Sequence, residues 1–289
     1  MNPFPIFDAH IHTYGTFLDR TSCISDYIDQ HNIRKAIITT TNKSANTKAF
    51  SNNSASDGKE ENKQQVFQKA VHQMSNGQLD HADVDAASEK FPDRFVKFFW
   101  FNPKVNSDKK DRDYGVLEQH FNKGYCGVKL HSGIHLAKIP DDVIELVEFM
   151  QGYNPHFPLY IHSTPAFSLF QGISGMDFLN LANQFPDLKI IIGHAGFAME
   201  YAIELGFLLE KCENVFFETS CSSPYAILSL LKMAGHRRVL FGSDAPITNP
   251  IQLEIDKIMA LPISEEQKAD ILYRNTEDLL ADVSPAVVS

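Results

Sequence analysis

Short apolar runs rich in β-branched and aromatic residues alternate with amphipathic stretches almost from end to end of the chain. Eight runs read as strands: FPIFDAH (4–10), KAIITTT (35–41), RFVKFFWF (94–101), GVKLH (127–131), PLYIH (158–162), KIIIGHAG (189–196), NVFFETS (214–220) and RVLFGSDA (238–245). Several are nearly continuous apolar blocks rather than strict alternations, the pattern of parallel strands buried on both faces. Stretches of helical period separate them, among them PDDVIELVEFMQGY, GMDFLNLANQFPD, YAIELGFLLEKCEN and SPYAILSLLKMAGH. Pro140-Asp141-Asp142 and Ser223-Pro224 predict helix starts, because proline lacks the N–H that a first helical turn leaves unpaired. FPD at 91–93 and again at 185–187 predicts two helix ends, each just before a strand. Strands each followed by helical sequence, eight times over, predict an α/β fold: a single distorted TIM (β/α)8 barrel over residues 1–289. A doubly wound sheet shares the alternation, but no Gly-rich phosphate loop follows the first strand.

One stretch breaks the rhythm. NKSANTKAFSNNSASDGKEENKQQ (42–65) is polar throughout and reads as a surface loop, or as a lid, since a loop after the second strand opens at the catalytic end of a barrel. Hydrophobic residues make up 43% and charged residues 21% of the 289 positions, enough for a sizeable core. The net charge of −10 argues against nucleic acid or an anionic membrane as partner. No apolar run approaches the roughly 20 residues that span a bilayer. MNPFPIFDAH has neither the basic nor the apolar region of a signal peptide, so a cytoplasmic location is expected. Cys23, Cys126, Cys212 and Cys221 are scattered without a C-x-x-C pair, which predicts free thiols in a reducing compartment and no cysteine-rich zinc module. Cys221 has no base in motif spacing and reads as an incidental thiol.

The chemistry lies at the strand ends. In FDAHIHTYG, His10 and His12 are two apart, so in a strand both imidazoles project to one face. His131, His162 and His194 fall at or near the ends of the fourth, fifth and sixth runs, and Asp244 near the end of the eighth. In a parallel barrel those ends form one rim, and neutral imidazoles gathered there with a carboxylate point to a divalent metal site. Lys129 and His131 share parity and face the interior together; as an ammonium, Lys129 would hold an anionic substrate group or pair with an acid. Asp8 shares the parity of His10 and would support it from below. Glu218, on the seventh run, would orient a ligating histidine from behind or serve as an ordinary strand-end acid. Tyr14, Arg20 and His135 lie in loops after the first and fourth strands, where substrate contacts are made.

Seven stretches carry a resemblance across nearly the whole chain: IFDAHIHTYG, FPDRFVKFFWFNP, GYCGVKLHSG, LYIHST, FPDLKIIIGHAG, VLFGSDAP and ILYRNTEDLL. They resemble the amidohydrolase-related branch of the amidohydrolase superfamily, which includes aminocarboxymuconate-semialdehyde decarboxylase-like enzymes. The resemblance implies a distorted TIM barrel with one divalent ion, zinc ahead of manganese, held by His10, His12, His162 and Asp244. It places His194 beside that ion as an acid–base or hydrogen-bonding partner. In two-metal relatives the lysine matching Lys129 is carboxylated and bridges the ions, which would move His162 and His194 onto the second one. The implied activity is metal-dependent hydrolysis of a small carbonyl substrate (a lactone, amide or related C–O or C–N bond), with a metal-activated water and Asp244 as base. The alternative on the same scaffold is a non-oxidative decarboxylase or other lyase, disfavoured by the lack of an arginine cluster at the strand ends. A small-molecule substrate and a homodimer complete what the resemblance implies.

Overall fold

The computed structural model describes residues 3–13, 31–41, 77–105, 114–165 and 172–283. Tyr14, Arg20, Cys23 and the polar 42–65 segment lie outside the described residues. One sheet holds the strands in sequence order: β1 (Ile6–His12), β2 (Ile33–Thr39), β3 (Phe95–Trp100), β4 (Tyr125–His131), β5 (Leu159–His162), β6 (Ile190–Gly193), β7 (Val215–Glu218) and β8 (Val239–Leu240). Each is parallel to the next. The sheet then closes on itself. Ala9 N donates to Phe241 O, Asp244 N to His10 O and His12 N to Ala245 O, each at 2.8 Å, and Ile11 bridges Ala245 in parallel. The expected TIM barrel is therefore present, with no free sheet edge between first and last strand.

The strand ends differ from the sequence pattern where the site begins. β1 continues two residues past the expected boundary, so His10 and His12 both stay in the ladder. β6 and β7 stop at Gly193 and Glu218, short of the expected ends at 196 and 220. His194, directly after β6, adopts a left-handed φ of 58°, which no strand can continue. β8 keeps regular pairing for two residues only; beyond it Phe241–Ala245 serves as the seam against β1.

Local chemistry explains the helices around the barrel. Ser223 caps the helix Pro224–Ala234 by accepting from Ala226 N, with Pro224 in its first turn. The helices Ala82–Lys90 and Gly175–Gln184 end at Phe91 and Phe185, the two FPD sites. The helix expected to open at Pro140 starts instead at Ile144. A turn comes first, in which Asp142 N donates to Lys138 O (2.9 Å) and the Asp142 carboxylate accepts from Lys138 N (2.7 Å). No helix of the described residues is long and apolar enough to cross a membrane. Cys126, Cys212 and Cys221 are free thiols.

The apolar core has two shells. The larger lies between strands and helices and includes Ile11, Ile38, Phe99, Val128, Ile161, Ile192 and Phe217. The smaller fills the barrel interior with Phe7, Ala9, Ile37, Phe98, Tyr160, Ile191 and Leu240. Gly127 makes room for it, since a Cβ there would lie 2.5 Å from the Phe98 ring. A register shift on β1 then changes the layer. Asp8 pairs with Ala36 and Ile11 with Ile38, so three steps on β1 match two on β2. Such a bulge re-aims side chains, and here it turns His10 inward directly above the layer that holds Ala9. Parity consequently does not run from Asp8 to His10. Asp8 is fully buried, and its Oδ1 accepts from His10 N and Ser243 N, both at 3.0 Å, tying the two halves of the seam together.

Candidate metal centre

Three lone pairs meet above the interior layer. His12 Nδ1 lies 3.2 Å from Thr40 O, which can only accept, so Nδ1 carries the proton and Nε2 is bare. His10 Nδ1 lies 2.7 Å from Tyr160 Oη, whose own proton goes to Glu218 Oε2 at 2.7 Å. The His10 nitrogen must therefore donate, which leaves its Nε2 bare as well. The two Nε2 atoms are 3.1 Å apart, and Asp244 Oδ1 stands 3.2 Å from one and 3.1 Å from the other. Burial pushes both imidazoles below their ordinary value, and Lys129 adds to the effect, so both are neutral. Burial would lift the Asp244 carboxyl; positive charge beside it, from a protonated neighbouring imidazole or a bound cation, draws it below the usual carboxylate range. Two bare imidazole nitrogens and a carboxylate oxygen facing one another repel unless positive charge lies among them; the Lys129 amine supplies it at His10 Nε2, and a bound ion would supply it to all three. Their donor chemistry, two nitrogens and one oxygen, suits a divalent transition ion.

The remaining rim residues are arranged around this point. His194 Nε2 is 3.0 Å from His162 Nδ1, and its Nδ1 is 2.8 Å from Ser220 Oγ. His194 also forms donor groups with His10 and Glu218, and with Cys221 and Asp244. His162 thus stands one residue further round the rim from His10 and His12, with His194 between. Its ring stacks on His131 at 3.6 Å, and His131 in turn stacks on Trp100 at 5.9 Å. His131 Nδ1 accepts from Ile134 N and caps the short helix Ser132–His135. His135 lies behind Trp100, taking its indole N–H at 3.3 Å. Lys129 Nζ touches His10 Nε2 and lies 4.2 Å from the Tyr160 ring centre. Burial pushes its amine down to about 8 against the pull of Asp244 and Glu218. Cys221 Sγ meets Thr248 Oγ1 at 3.3 Å, and burial beside Asp244 pushes its thiol up to about 12, so it is no thiolate nucleophile at neutral pH.

Strain marks the same rim. His194, Cys221 and Asp244 have φ of 58°, 57° and 54°. Each follows a different strand, β6, β7 or β8, and a non-glycine residue held in that region costs about 1–3 kcal/mol. Such positions persist where the surrounding structure over-determines them, and they gather at functional sites.

The sequence profile of the amidohydrolase family matches residues 8–281, nearly the whole chain. The chain belongs to the amidohydrolase family. No curated protein matches it. Among solved structures of the same fold is a 5-carboxyvanillate decarboxylase from Sphingomonas paucimobilis, with 16% identity and a TM-score of 0.56 over 89% of this chain and 82% of that one. A dihydroxybenzoic acid decarboxylase from Polaromonas sp. JS666, with bound manganese and the inhibitor 2-nitroresorcinol, has 17% identity and a TM-score of 0.59 over 97% of each chain. A Pseudomonas putida protein provisionally described as a 2-pyrone-4,6-dicarboxylic acid hydrolase has 14% identity and a TM-score of 0.64, over 97% of this chain and 98% of that one.

Two glycines of this amidohydrolase barrel have a steric role at the site. A Cβ on Gly193 would lie 2.2 Å from Tyr160 Oη, and one on Gly242 would lie 1.9 Å from Glu218 Oε1. The glycines of GHAG and FGSD are therefore the clearances into which Tyr160 and Glu218 fit. Gly242→Ala is expected to lower stability by about 1–3 kcal/mol or more, read as a fall in Tm by circular dichroism. Gly152→Ala is the control: nothing lies within 4 Å of its Cβ in the helix Ile144–Tyr153. That variant should gain about 0.5–1 kcal/mol. Equal Tm for both variants would show that the clearance is unimportant. Tyr160, Ser220 and Trp100 are the functional neighbours that sequence reading passed over. Tyr160 lies two residues before His162 on β5 and so shares its face, while Ser220 lies two residues past Glu218, beyond the end of β7.

Proposed function

We propose that this protein is a metal-dependent hydrolase of a small carbonyl compound such as a lactone or amide. The observation that carries the reading is the meeting of His10 Nε2, His12 Nε2 and Asp244 Oδ1 within 3.2 Å of one another. His10, His12 and Asp244 would hold the ion, with His162 as a further ligand from across the rim. A divalent ion in such a site lowers the pKa of water and polarises a carbonyl. Asp244, ionised and beside the ligating nitrogens, takes the proton of the attacking water and returns it to the leaving group. His194 and Lys129 face the developing negative charge and steady it by hydrogen bonding and by charge.

Decarboxylation is the second reading, favoured by the decarboxylases among the structurally similar proteins. In that case Lys129 would hold the substrate carboxylate. Elemental analysis of protein purified without chelator is expected to find one equivalent of zinc or manganese per chain. Two equivalents would move Lys129 into the role of a carboxylated bridge. No metal, even after reconstitution, would remove the reading. A panel of lactones, amides and aromatic carboxylates in oxygen-18 water then separates the reactions. Hydrolysis puts the label into product, whereas decarboxylation releases CO₂ without consuming water.

A further inference from the structure

We propose that Glu218 is a positioning residue that determines which ring nitrogen carries the proton in His10, His194 and His162 together. Its carboxylate is completely buried and accepts on every side. Ser220 N donates to Oε1, and His194 N donates to Oε2 at 3.1 Å. Backbone N–H groups can only donate, so both oxygens are committed as acceptors. Tyr160 Oη and Ser220 Oγ then give their single protons to Oε2, at 2.7 and 2.8 Å.

Two arms leave this hub. On the first, Tyr160 Oη has given up its proton and can only accept from His10 Nδ1 at 2.7 Å; Ser220 Oγ at 3.3 Å and Glu218 Oε2 at 3.4 Å are further acceptors around the same nitrogen. His10 is thereby fixed with Nδ1 protonated and Nε2 turned bare toward Asp244. On the second, Ser220 Oγ accepts from His194 Nδ1 at 2.8 Å, and Ser220 O lies 3.3 Å from the same nitrogen. His194 Nε2 is then bare and accepts from His162 Nδ1 at 3.0 Å. His162 finishes with Nδ1 protonated and Nε2 free to bind. Five hydrogen-bonding side chains pass one polarity outward from one carboxylate, and all three imidazoles end with the same bare nitrogen.

The order of the arms matches the sheet. Glu218 ends β7, Tyr160 and His162 sit two apart on β5, and His194 follows β6 between them. Gly193 and Gly242 leave the gaps that admit Tyr160 and Glu218. The proposal deepens the metal-site reading and rests on it only for its consequence, since the protonation pattern exists in the metal-free chain.

The test is a long-range proton–nitrogen correlation spectrum of histidine side chains in uniformly ¹⁵N-labelled, metal-free protein, assigned by single histidine substitutions. His10, His194 and His162 are each expected to show a protonated Nδ1 and a bare Nε2. Tyr160→Phe removes the shortest acceptor from His10 Nδ1 and should loosen His10 alone, while Ser220→Ala should release His194 and His162 and leave His10 held by Tyr160. Glu218→Gln presents an amide that donates as well as accepts, and should reverse at least one arm. If that variant does not fold, the two single-arm variants carry the test. A protonated Nε2 on any of the three in the unaltered protein overturns the proposal, as does loss of the pattern in the wrong arm. Chelator competition for zinc adds a second readout: Tyr160→Phe should bind about 10–100-fold more weakly. Should the pattern hold in a protein that binds no zinc, the metal reading fails and the proposal stands. Zinc bound tightly beside the opposite pattern overturns the proposal and leaves the metal reading intact.

Discussion

Asp244→Asn is expected to lower turnover by about 10²–10⁴-fold while the protein still takes up much of its metal. Asparagine keeps an oxygen near the position that now stands 3.2 Å from His10 Nε2 and 3.1 Å from His12 Nε2. It loses both the charge and the capacity to accept a proton. Metal content and kcat, measured side by side on whichever substrate the oxygen-18 panel identifies, separate binding from proton transfer. Near-normal turnover would remove Asp244 from the role of base. Metal lost in proportion to activity would assign it to holding the ion alone.

The metal-free protein should lose stability steeply between pH 6.5 and pH 5. Burial pushes His81 and His135 down to about 3, and both lie almost wholly inside. Each is an acceptor for Trp100: His81 Nε2 takes the backbone N–H at 2.8 Å, and His135 Nε2 takes the indole N–H at 3.3 Å. A proton on either nitrogen would set N–H against N–H. Below pH 6.5 the unfolded chain binds protons that the folded chain refuses, so stability falls as pH falls, by about 1.4 kcal/mol per unit for each such group. At pH 5 the pair removes about 4 kcal/mol, a large share of the 5–15 kcal/mol typical of a folded domain. His10, His12, His131 and His162 are shifted the same way. Asp8 and Glu254, whose carboxyls are pushed up by burial, oppose them as two groups against six. Thermal unfolding after chelation should show Tm about 10 °C lower or more at pH 5 than at pH 7. A flat profile over that interval would mean these imidazoles are not buried neutral.

The sequence carried the barrel because continuous apolar runs and capping signals are local. It also carried the rim, because histidines and Asp244 sit where those runs end. It did not carry distances around the rim. His10 and His162 both lie at strand ends, yet β1 and β5 are half a circumference apart and His194 stands next to His162. Asp244 is close to His10 because the seam joins them through a backbone hydrogen bond. The bulge between Asp8 and Ile11 defeats simple alternation, since nothing in FDAHIH marks the extra residue. Tyr160 and Ser220 escaped for a different reason. A tyrosine in PLYIH and a serine in FFETS look like ordinary strand residues until the carboxylate they share is in place.

The seam has a consequence for synthesis of the protein. Two of the three convergent donors come from β1, the first strand in chain order, and the third comes from Asp244, delivered only when the segment after β8 docks along β1. A chain arrested or cleaved before that segment has no such triad, however well its earlier strands have formed. Loading with an ion therefore doubles as a marker of a closed barrel, and a product cut short before the seam would be left without the ligand-derived stabilisation that protects the closed one.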